Sequence, residues 1–211
     1  TGAIADEVAA SINEEQKSFS PEKGNLTTLL STGSTLLDLA ISGGAVRGGG
    51  IPGGIMVEIF GPSGSGKTSL LAEICASAIA RGGRVRVLDP EGRLNREYCE
   101  KFGLVIADKD YFRPDTVKEV FEDLENWGSS EDGVVDVFAC DSIAALSTEM
   151  EMESEVKMGG KRAKEFSAGL RKTARISAAD NRLIIYTNQV RQSMASFGRK
   201  ETTGGGMAVP V

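Results

Sequence analysis

The stretch IMVEIFGPSGSGKTSLL, residues 55–71, decides which fold the sequence predicts. Its apolar first half is typical of a buried β-strand, and a helix is expected to begin at Lys67. Between the two, GPSGSGKT (61–68) fits the pattern G-x-x-x-x-G-K-[ST], in the strand–loop–helix context that this pattern needs. Its glycines let backbone N–H groups curl around an anion, and the helix N-terminus adds partial positive charge. The stretch therefore predicts a phosphate-binding loop.

The motif also predicts what two of its side chains contact. We expect the Lys67 ammonium to reach the β- and γ-phosphates of ATP, and the Thr68 hydroxyl to ligate Mg²⁺. The predicted nucleotide-binding residues of the loop are Gly61, Pro62, Ser63, Gly64, Ser65, Gly66, Lys67, Thr68 and Ser69.

Strands alternate with helices along the rest of the chain. Strands are predicted at VRVLD (85–89), VVDVFACD (134–141) and RLIIYTN (182–188), and helices across 95–103, after Asp115 or Thr116, and across about 161–180. Residues 20–35 are interpreted as a polar connection, and the glycine-rich residues 42–54 as a turn. An almost entirely apolar strand is typical of a parallel sheet with both faces covered. The alternation predicts an α/β fold with a doubly wound, mostly parallel sheet.

Two carboxylates are expected to complete the phosphate site. Asp141 ends the strand over 134–141, where an aspartate can hold the magnesium shell. Glu91 follows the strand over 85–89, at the carboxyl edge of the sheet where α/β proteins bind ligands. A glutamate there can orient and deprotonate a water that attacks the γ-phosphate. Asp89 is the rival for this role, and Glu91 is preferred because Asp89 is still within the strand.

Composition excludes several classes of chemistry. The chain has no histidine, which excludes histidine acid–base catalysis and histidine metal sites. Its three cysteines are scattered, so they are interpreted as buried thiols in a reducing compartment. No apolar run approaches the roughly 20 residues that span a bilayer, and no signal peptide opens the chain. We therefore expect no membrane partner and a cytoplasmic location.

Positive charge is concentrated late in the chain. The net charge is −6, yet from Val156 onward eleven Lys and Arg residues stand against three acidic residues. Such an asymmetry indicates a local anion-binding face, although an ordinary basic surface helix would give the same count. At the other end, an apolar stripe of Ile4, Val8, Ile12 and Phe19 predicts a helix that packs on its own core or on a neighbouring subunit.

Four blocks of sequence resemble one family. In order they are LSTGSTLLDLAISGG with GGIPGGIMVEIFGPSGSGKTSLL, LDPEGRLNREYCEKFGL, ACDSIAALSTEMEMESEV, and YTNQVRQSMASFGRKETTGGGMA. Together they are similar to the ATPase core of the bacterial and phage RecA recombinases, from about Leu30 to the C-terminus. The resemblance implies an N-terminal helical oligomerisation arm over 1–30 and a RecA-type P-loop NTPase core over 31–211.

The resemblance also implies an activity. Proteins of this family form ATP-dependent helical filaments on single-stranded DNA, pair it with a homologous duplex and exchange strands. The implied cofactors are ATP and Mg²⁺, and the implied partners are single- and double-stranded DNA and further copies of the chain. Family members continue past the equivalent of GGGMAVPV (204–211) into further strands, lysines that act across the subunit interface and a C-terminal domain. We therefore expect this chain to bind ATP well and to hydrolyse it weakly.

Further site residues follow from the same resemblance. Glu91 takes the place of the catalytic glutamate, and Gln189 that of a glutamine that senses the γ-phosphate and contributes to catalysis. Tyr98 falls where a tyrosine stacks on adenine. Asn95 stands where an aspartate contacts the base, a departure that bears on base selectivity.

Two DNA-binding loops are implied, EMESEVKMGGKRAK (151–164) and RQSMASFGRKETTGGG (191–206). The predicted DNA-binding residues are Met158, Lys161, Arg162, Lys164, Arg191, Phe197, Arg199, Lys200, Gly204, Gly205 and Gly206. Cations and glycine N–H groups suit phosphate contacts that ignore base sequence. Met158 and Phe197 either stack on bases or fold back on the core. The loop over 190–206 is expected to lack packing of its own and to order only with DNA and ATP.

Two other functions remain open at this level. A hexameric replicative helicase shares the same core, but the TNQVR block and the glycine-rich loop that follows it argue against a ring motor. A nucleotide-binding regulator without hydrolysis would have the same fold, with Glu91 far from the nucleotide.

Overall fold

The computed structural model of the chain describes residues 25–43, 46–128, 133–146, 159–192 and 201–203. The strands are β1 (Asn25–Leu30), β2 (Ile51–Gly53), β3 (Met56–Gly61), β4 (Val85–Leu88), β5 (Tyr111–Phe112), β6 (Val137–Cys140), β7 (Leu183–Gln192) and β8 (Glu201–Thr203). The helices are α1 (Thr35–Ser42), α2 (Lys67–Ala80), α3 (Arg96–Glu100), α4 (Val117–Asn126) and α5 (Gly159–Ala179).

Five strands form the main sheet in the order β3-β7-β6-β4-β5, and every neighbouring pair is parallel. The order puts β7 between the strand that leads into the phosphate loop and β6, the strand that ends before Asp141. Because the carboxyl ends of parallel strands meet at one edge, three candidate site segments come together there. The predicted doubly wound parallel sheet is confirmed.

Each face of the sheet is covered by helices. On one face, alternate strand residues pack against α2; among those buried there are Ile74, Cys75, Val137, Ala139, Leu183 and Ile185. On the other face, the intervening strand residues pack with α4 and α5; among those buried there are Val120, Leu124, Phe138, Phe166, Leu170 and Ile184. Burial of both faces explains why these strands are almost wholly apolar in sequence.

The start of the chain differs from the sequence prediction. The predicted polar connection over 20–35 is wrong for its second half, because β1 occupies 25–30 and α1 begins at Thr35. The predicted turn over 42–54 contains β2, which pairs antiparallel with β1. Leu30 and Ile51 are buried in the core under α2, and this packing holds the two short strands in place. The arm predicted over 1–30 lies mostly outside the described residues and stays a prediction.

The exit from β7 also differs from the prediction. Residues 190–192 continue the strand beyond the main sheet and pair antiparallel with β8, with Val190 opposite Thr203 and Gln192 opposite Glu201. The described parts of the predicted loop over 190–206 are therefore two arms of a β-hairpin. Through this antiparallel backbone pairing, β7 continues as a strand past the edge of the main sheet.

Two predictions from composition can be compared with the fold. Cys75, Cys99 and Cys140 are free and buried, as predicted. Among the described residues, no helix combines the length and the apolar character that crossing a bilayer requires.

Candidate nucleotide site

The phosphate loop joins β3 to α2, as its sequence predicts. Gly64 and Gly66 have φ of +75° and +87°, a left-handed conformation that glycine adopts without steric cost. At Gly61 a Cβ atom would lie 2.7 Å from the Ser65 Oγ, so a side chain there would force the Ser65 hydroxyl to move. The first N–H groups of α2 have no partner within the helix and are suited to bind an anion.

Lys67 is the first residue of α2, and its side chain turns back across the loop. Its Nζ donates to the carbonyl oxygens of Gly61 at 3.1 Å and Pro62 at 2.8 Å. These contacts hold the ammonium at the mouth of the loop, where a phosphate would meet both the charge and the N–H groups.

Thr68 and Asp141 meet across the gap between α2 and β6. The Thr68 Oγ1 donates to Asp141 Oδ2 at 2.5 Å. Val137 and Ala139 face α2, so alternation along the strand brings Asp141 to the same side. The sequence predicted these two residues as the metal pair, and the fold brings their oxygens together.

Strand β7 passes directly beside this pair. In the parallel register Gly61 of β3 lies opposite Gln189, and Cys140 of β6 lies opposite Tyr186. The residue after Tyr186 is Thr187, which is fully buried and donates a hydrogen bond to Asp141 Oδ1. Sequence reasoning did not single out Thr187, although a hydroxyl in an apolar strand end is a visible signal.

The opposite face of β7 carries a second polar contact. Asn188, fully buried, donates from Nδ2 to Glu58 Oε1 at 2.8 Å, and its Oδ1 accepts from the backbone N–H of Gln189. Burial raises the pKa of the Glu58 carboxyl, and the hydrogen bond from Asn188 partly offsets that increase. The strand end that carries Gln189 is thus tied to β3 through side chains as well as backbone.

Glu91 lies on the turn after β4 and reaches the same edge of the sheet. Its Oε1 accepts a 2.9 Å hydrogen bond from the hydroxyl of Ser142, a buried residue directly after Asp141. Its Oε2 lies 3.8 Å from an Arg93 nitrogen, and this arginine is largely exposed, so the ion pair is weak. Ser142 was not predicted as a site residue, although its place next to Asp141 is a signal in the sequence.

Asp89, the rival for the catalytic base, has a structural role. Its carboxylate is buried and accepts from the backbone N–H groups of Arg93 and Leu94 and from the Tyr111 hydroxyl. Burial and this hydrogen bond to Asp89 raise the pKa of Tyr111, which keeps the phenol a neutral donor. A carboxylate that closes a turn with three donors has little freedom to activate a water.

Tyr98 lies beside the first turn of α2. Its hydroxyl and the Ser69 Oγ are 2.8 Å apart, and its ring packs edge-on against Phe102 at a centroid distance of 5.0 Å. Asn95 is the N-cap of α3 and accepts from the Tyr98 N–H at 2.9 Å. The exposed Tyr98 ring is available for stacking, while Asn95 orients the helix that carries it. Base contacts by Asn95 and Tyr98 stay predictions.

The predicted DNA-binding residues are described only in part. Lys161, Arg162 and Lys164 lie in α5, and Arg191 lies in β7, with their backbone alone described. The others, Met158, Phe197, Arg199, Lys200, Gly204, Gly205 and Gly206, lie outside the described residues.

The donor set fits Mg²⁺ rather than a metal held entirely by protein. Across the described ranges no three acidic or cysteine side chains come together as a metal cluster. Mg²⁺ favours such a site because it takes few protein oxygens and keeps waters and substrate phosphates as ligands. Burial, with the charges of Asp141 and Asp89, raises the pKa of the Cys140 thiol well above its ordinary value. The Cys140 thiol is buried on the face of the sheet opposite α2, with Phe138, and so points away from the Thr68–Asp141 pair.

This geometry defines a class: a P-loop protein with a doubly wound parallel sheet. The model of the RecA N-terminal domain family matches residues 18–211. The chain belongs to the RecA family.

Individual relatives agree with this assignment. Protein RecA of Thermus thermophilus is 39% identical over 86% of this chain and 52% of the relative. Protein RecA of Azoarcus sp. is 35% identical over 97% of this chain and 61% of the relative. The chain spans about half the length of the curated relatives it matches, 52% for that from Thermus thermophilus.

Proposed function

We propose that the chain is the ATP-binding core of a recombinase that assembles on single-stranded DNA and pairs it with a homologous duplex, with DNA-dependent ATP hydrolysis. The observation that supports this best is the course of β7. The strand runs between the phosphate loop and Asp141, and its last residues, 190–192, pair antiparallel with β8. One strand thus leads from the proposed nucleotide site to the start of the segment predicted to hold DNA.

In this proposal the nucleotide chemistry belongs to four side chains and the backbone of the phosphate loop. Lys67 and the loop N–H groups bind the phosphates, Thr68 and Asp141 hold Mg²⁺, and Glu91 holds the attacking water. When bound, Mg²⁺ neutralises charge on the phosphate oxygens. Glu91 orients that water through Oε2, whose ion pair with the exposed Arg93 is weak, and accepts a proton from it as the water oxygen bonds to the γ-phosphorus and the bond to ADP breaks.

The DNA partner is supported by the distribution of charge. From Val156 onward the chain has eleven Lys and Arg residues; several lie in α5, and Arg191 lies in β7. Cations and exposed N–H groups suit contacts to phosphates of any sequence, as a protein that coats single strands requires.

Electron microscopy of the chain with single-stranded DNA and a non-hydrolysable ATP analogue tests the proposal. We expect helical filaments whose length follows the length of the DNA. Closed rings would favour a replicative helicase, and nucleotide-bound monomers that ignore DNA would favour a regulator. The Glu91–Ser142 contact at the edge that holds Asp141 argues against the regulator.

Gln189→Ala should uncouple DNA binding from ATP. Gln189 lies opposite Gly61, the first residue of the phosphate loop, and three residues before the end of β7. An amide at this position can donate a hydrogen bond to the γ-phosphate. Strand β7 would then couple nucleotide binding to the DNA-binding segment. Coupling between sites is typically about 5- to 150-fold in affinity. We expect the ratio of single-stranded DNA affinities, with and without the ATP analogue, to fall from this range to near one.

Gln192→Ala is the matched control for this measurement. Gln192 is the same residue type on the same strand, but it pairs with Glu201 beyond the main sheet. We expect it to alter DNA affinity equally in both nucleotide states and to leave the ratio intact. Both affinities must be measured at one salt concentration because phosphate contacts are sensitive to salt. A wild-type ratio in Gln189→Ala would make Gln189 a structural amide.

A further inference from the structure

Strand β7 carries a buried hydroxyl where it passes Asp141, the carboxylate that is proposed to hold Mg²⁺. Its first four residues, 183–186, are buried and apolar or aromatic, and Thr187 is as buried as they are, with no exposed surface. The Thr187 Oγ1 donates to Oδ1 of Asp141, on the neighbouring strand. A buried hydroxyl loses water on folding, and this contact gives its proton a charged partner.

The two oxygens of Asp141 are thereby held from two sides. Thr68, on α2, donates to Oδ2, while Thr187, on β7, donates to Oδ1. Two hydroxyls on different elements fix the plane of the carboxylate, because rotation about its Cβ–Cγ bond would break both contacts. A hydroxyl that donates its proton keeps its lone pairs, so the Thr68 oxygen can still bind a cation.

We propose that Thr187 is a positioning residue of the magnesium site, an inference that rests on the proposed function for Thr68 and Asp141. Thr187 would hold the Asp141 carboxylate in one orientation beside the Thr68 hydroxyl, and these two groups would hold Mg²⁺. It does not touch the ion or the nucleotide. Partners of this kind, one contact removed from a metal, typically change metal affinity about 10- to 100-fold when mutated.

The fold leaves Thr187 little freedom to move away from Asp141. β7 is paired on both sides at this height, with β3 and with β6, so the Thr187 backbone cannot retreat from Asp141. Its β-branched side chain has few allowed rotamers, which further limits where the hydroxyl can go. Valine has nearly the same shape and removes only the donor.

The test measures how binding of a fluorescent ADP, N-methylanthraniloyl-ADP, depends on Mg²⁺. For Thr187→Val we expect an affinity within about two-fold of wild type in EDTA, since the phosphate loop is intact. The Mg²⁺ concentration that gives half of the Mg²⁺-dependent gain in affinity should rise about 10- to 100-fold. Thr187→Ser, which restores a hydroxyl, should return that concentration to within a few-fold of wild type.

Three results would overturn the inference. An unchanged Mg²⁺ midpoint in Thr187→Val would leave Thr187 as a core residue only. An equal loss of affinity in EDTA and in Mg²⁺ would indicate general damage to the site, and the melting temperature of each variant would support that conclusion. Failure of Thr187→Ser to restore the midpoint would exclude the hydroxyl as the cause. If wild type itself binds the nucleotide without any Mg²⁺ dependence, the proposed metal role of Thr68 and Asp141 fails first.

Discussion

Lys67→Ala is expected to lose nucleotide binding almost completely. The ammonium is held over the loop by the Gly61 and Pro62 carbonyls, where it adds a full positive charge to the partial charge of the N–H groups. Removing one partner of a hydrogen-bonded charge pair costs at least about 2 kcal/mol, or roughly 30-fold in dissociation constant. Calorimetric titration with ATP and Mg²⁺ would measure this loss.

The matched control is Lys118→Ala. Lys118 is exposed on α4 and pairs with Glu122 one turn along the same helix, on the face of the sheet opposite α2. A surface pair of this type contributes little, so we expect wild-type ATP affinity and stability. Equal ATP affinity in Lys67→Ala and wild type would reject the assignment of the phosphate loop.

The loop itself could be predicted from sequence because its determinants are local. The positive φ angles at Gly64 and Gly66, and the close approach at Gly61, each depend on a residue type that the motif displays. Glycine at these positions, followed by Lys and Thr at a helix start, specifies the same geometry wherever it occurs between a strand and a helix. No information from distant parts of the chain is needed.

The first elements of the chain were missed for a different reason. Helix α1 begins with Ser34 accepting from the Leu37 N–H and ends at Gly43 in a left-handed conformation. Those two capping residues were a readable signal. The apolar residues of α1 do not mark a buried face, since Leu36 is 82% exposed. From Thr27 onward, where burial in β1 is described, the buried side chains are Leu29 and Leu30 at the end of the strand. The pairing of β1 with β2 depends on a partner some twenty residues away.

The hydrogen bonds that hold the acidic site residues in place could not be predicted from one sequence. Thr187 meets Asp141, and Ser142 meets Glu91, only because β6, β7 and β4 are neighbours in a particular register. A shift of one residue would move these side chains to the opposite face of the sheet. Strand order and register are properties of the whole sheet, so the sequence predicted which carboxylates matter but not which hydroxyls hold them.

The same limit explains why Asp89 and Glu91 were both candidates. From sequence the two acids differ only by their distance from a strand end. In the fold, the turn after β4 closes onto Asp89, since Gly92 at φ +62° returns its N–H to the Asp89 carbonyl. The donors at Arg93, Leu94 and Tyr111 then occupy the Asp89 carboxylate, and Glu91 is left at the open edge.

Glu91→Gln is therefore expected to bind ATP but to hydrolyse it about 10²- to 10⁴-fold more slowly, the usual range for loss of a general base. Glutamine has the same size and keeps a carbonyl oxygen that can accept from the Ser142 hydroxyl, so the side chain should stay in place. What it loses is the ability to take a proton from water. Single-turnover hydrolysis, with protein in excess over radiolabelled ATP and with single-stranded DNA present, detects even a slow reaction.

The control is Asp89→Asn, a change on the same turn that should affect stability rather than hydrolysis. Asp89→Asn replaces one acceptor oxygen with an amide that faces N–H and O–H donors, so we expect it to lower the free energy of unfolding by about 1–3 kcal/mol. Its hydrolysis rate per folded molecule should stay within a few-fold of wild type. The opposite pattern, a slow Asp89→Asn and an active Glu91→Gln, would move the base to Asp89 despite its three donors. Loss of ATP affinity in Glu91→Gln would instead show that this carboxylate contributes to binding, and the measured rate would have to be corrected for occupancy before any catalytic role is assigned.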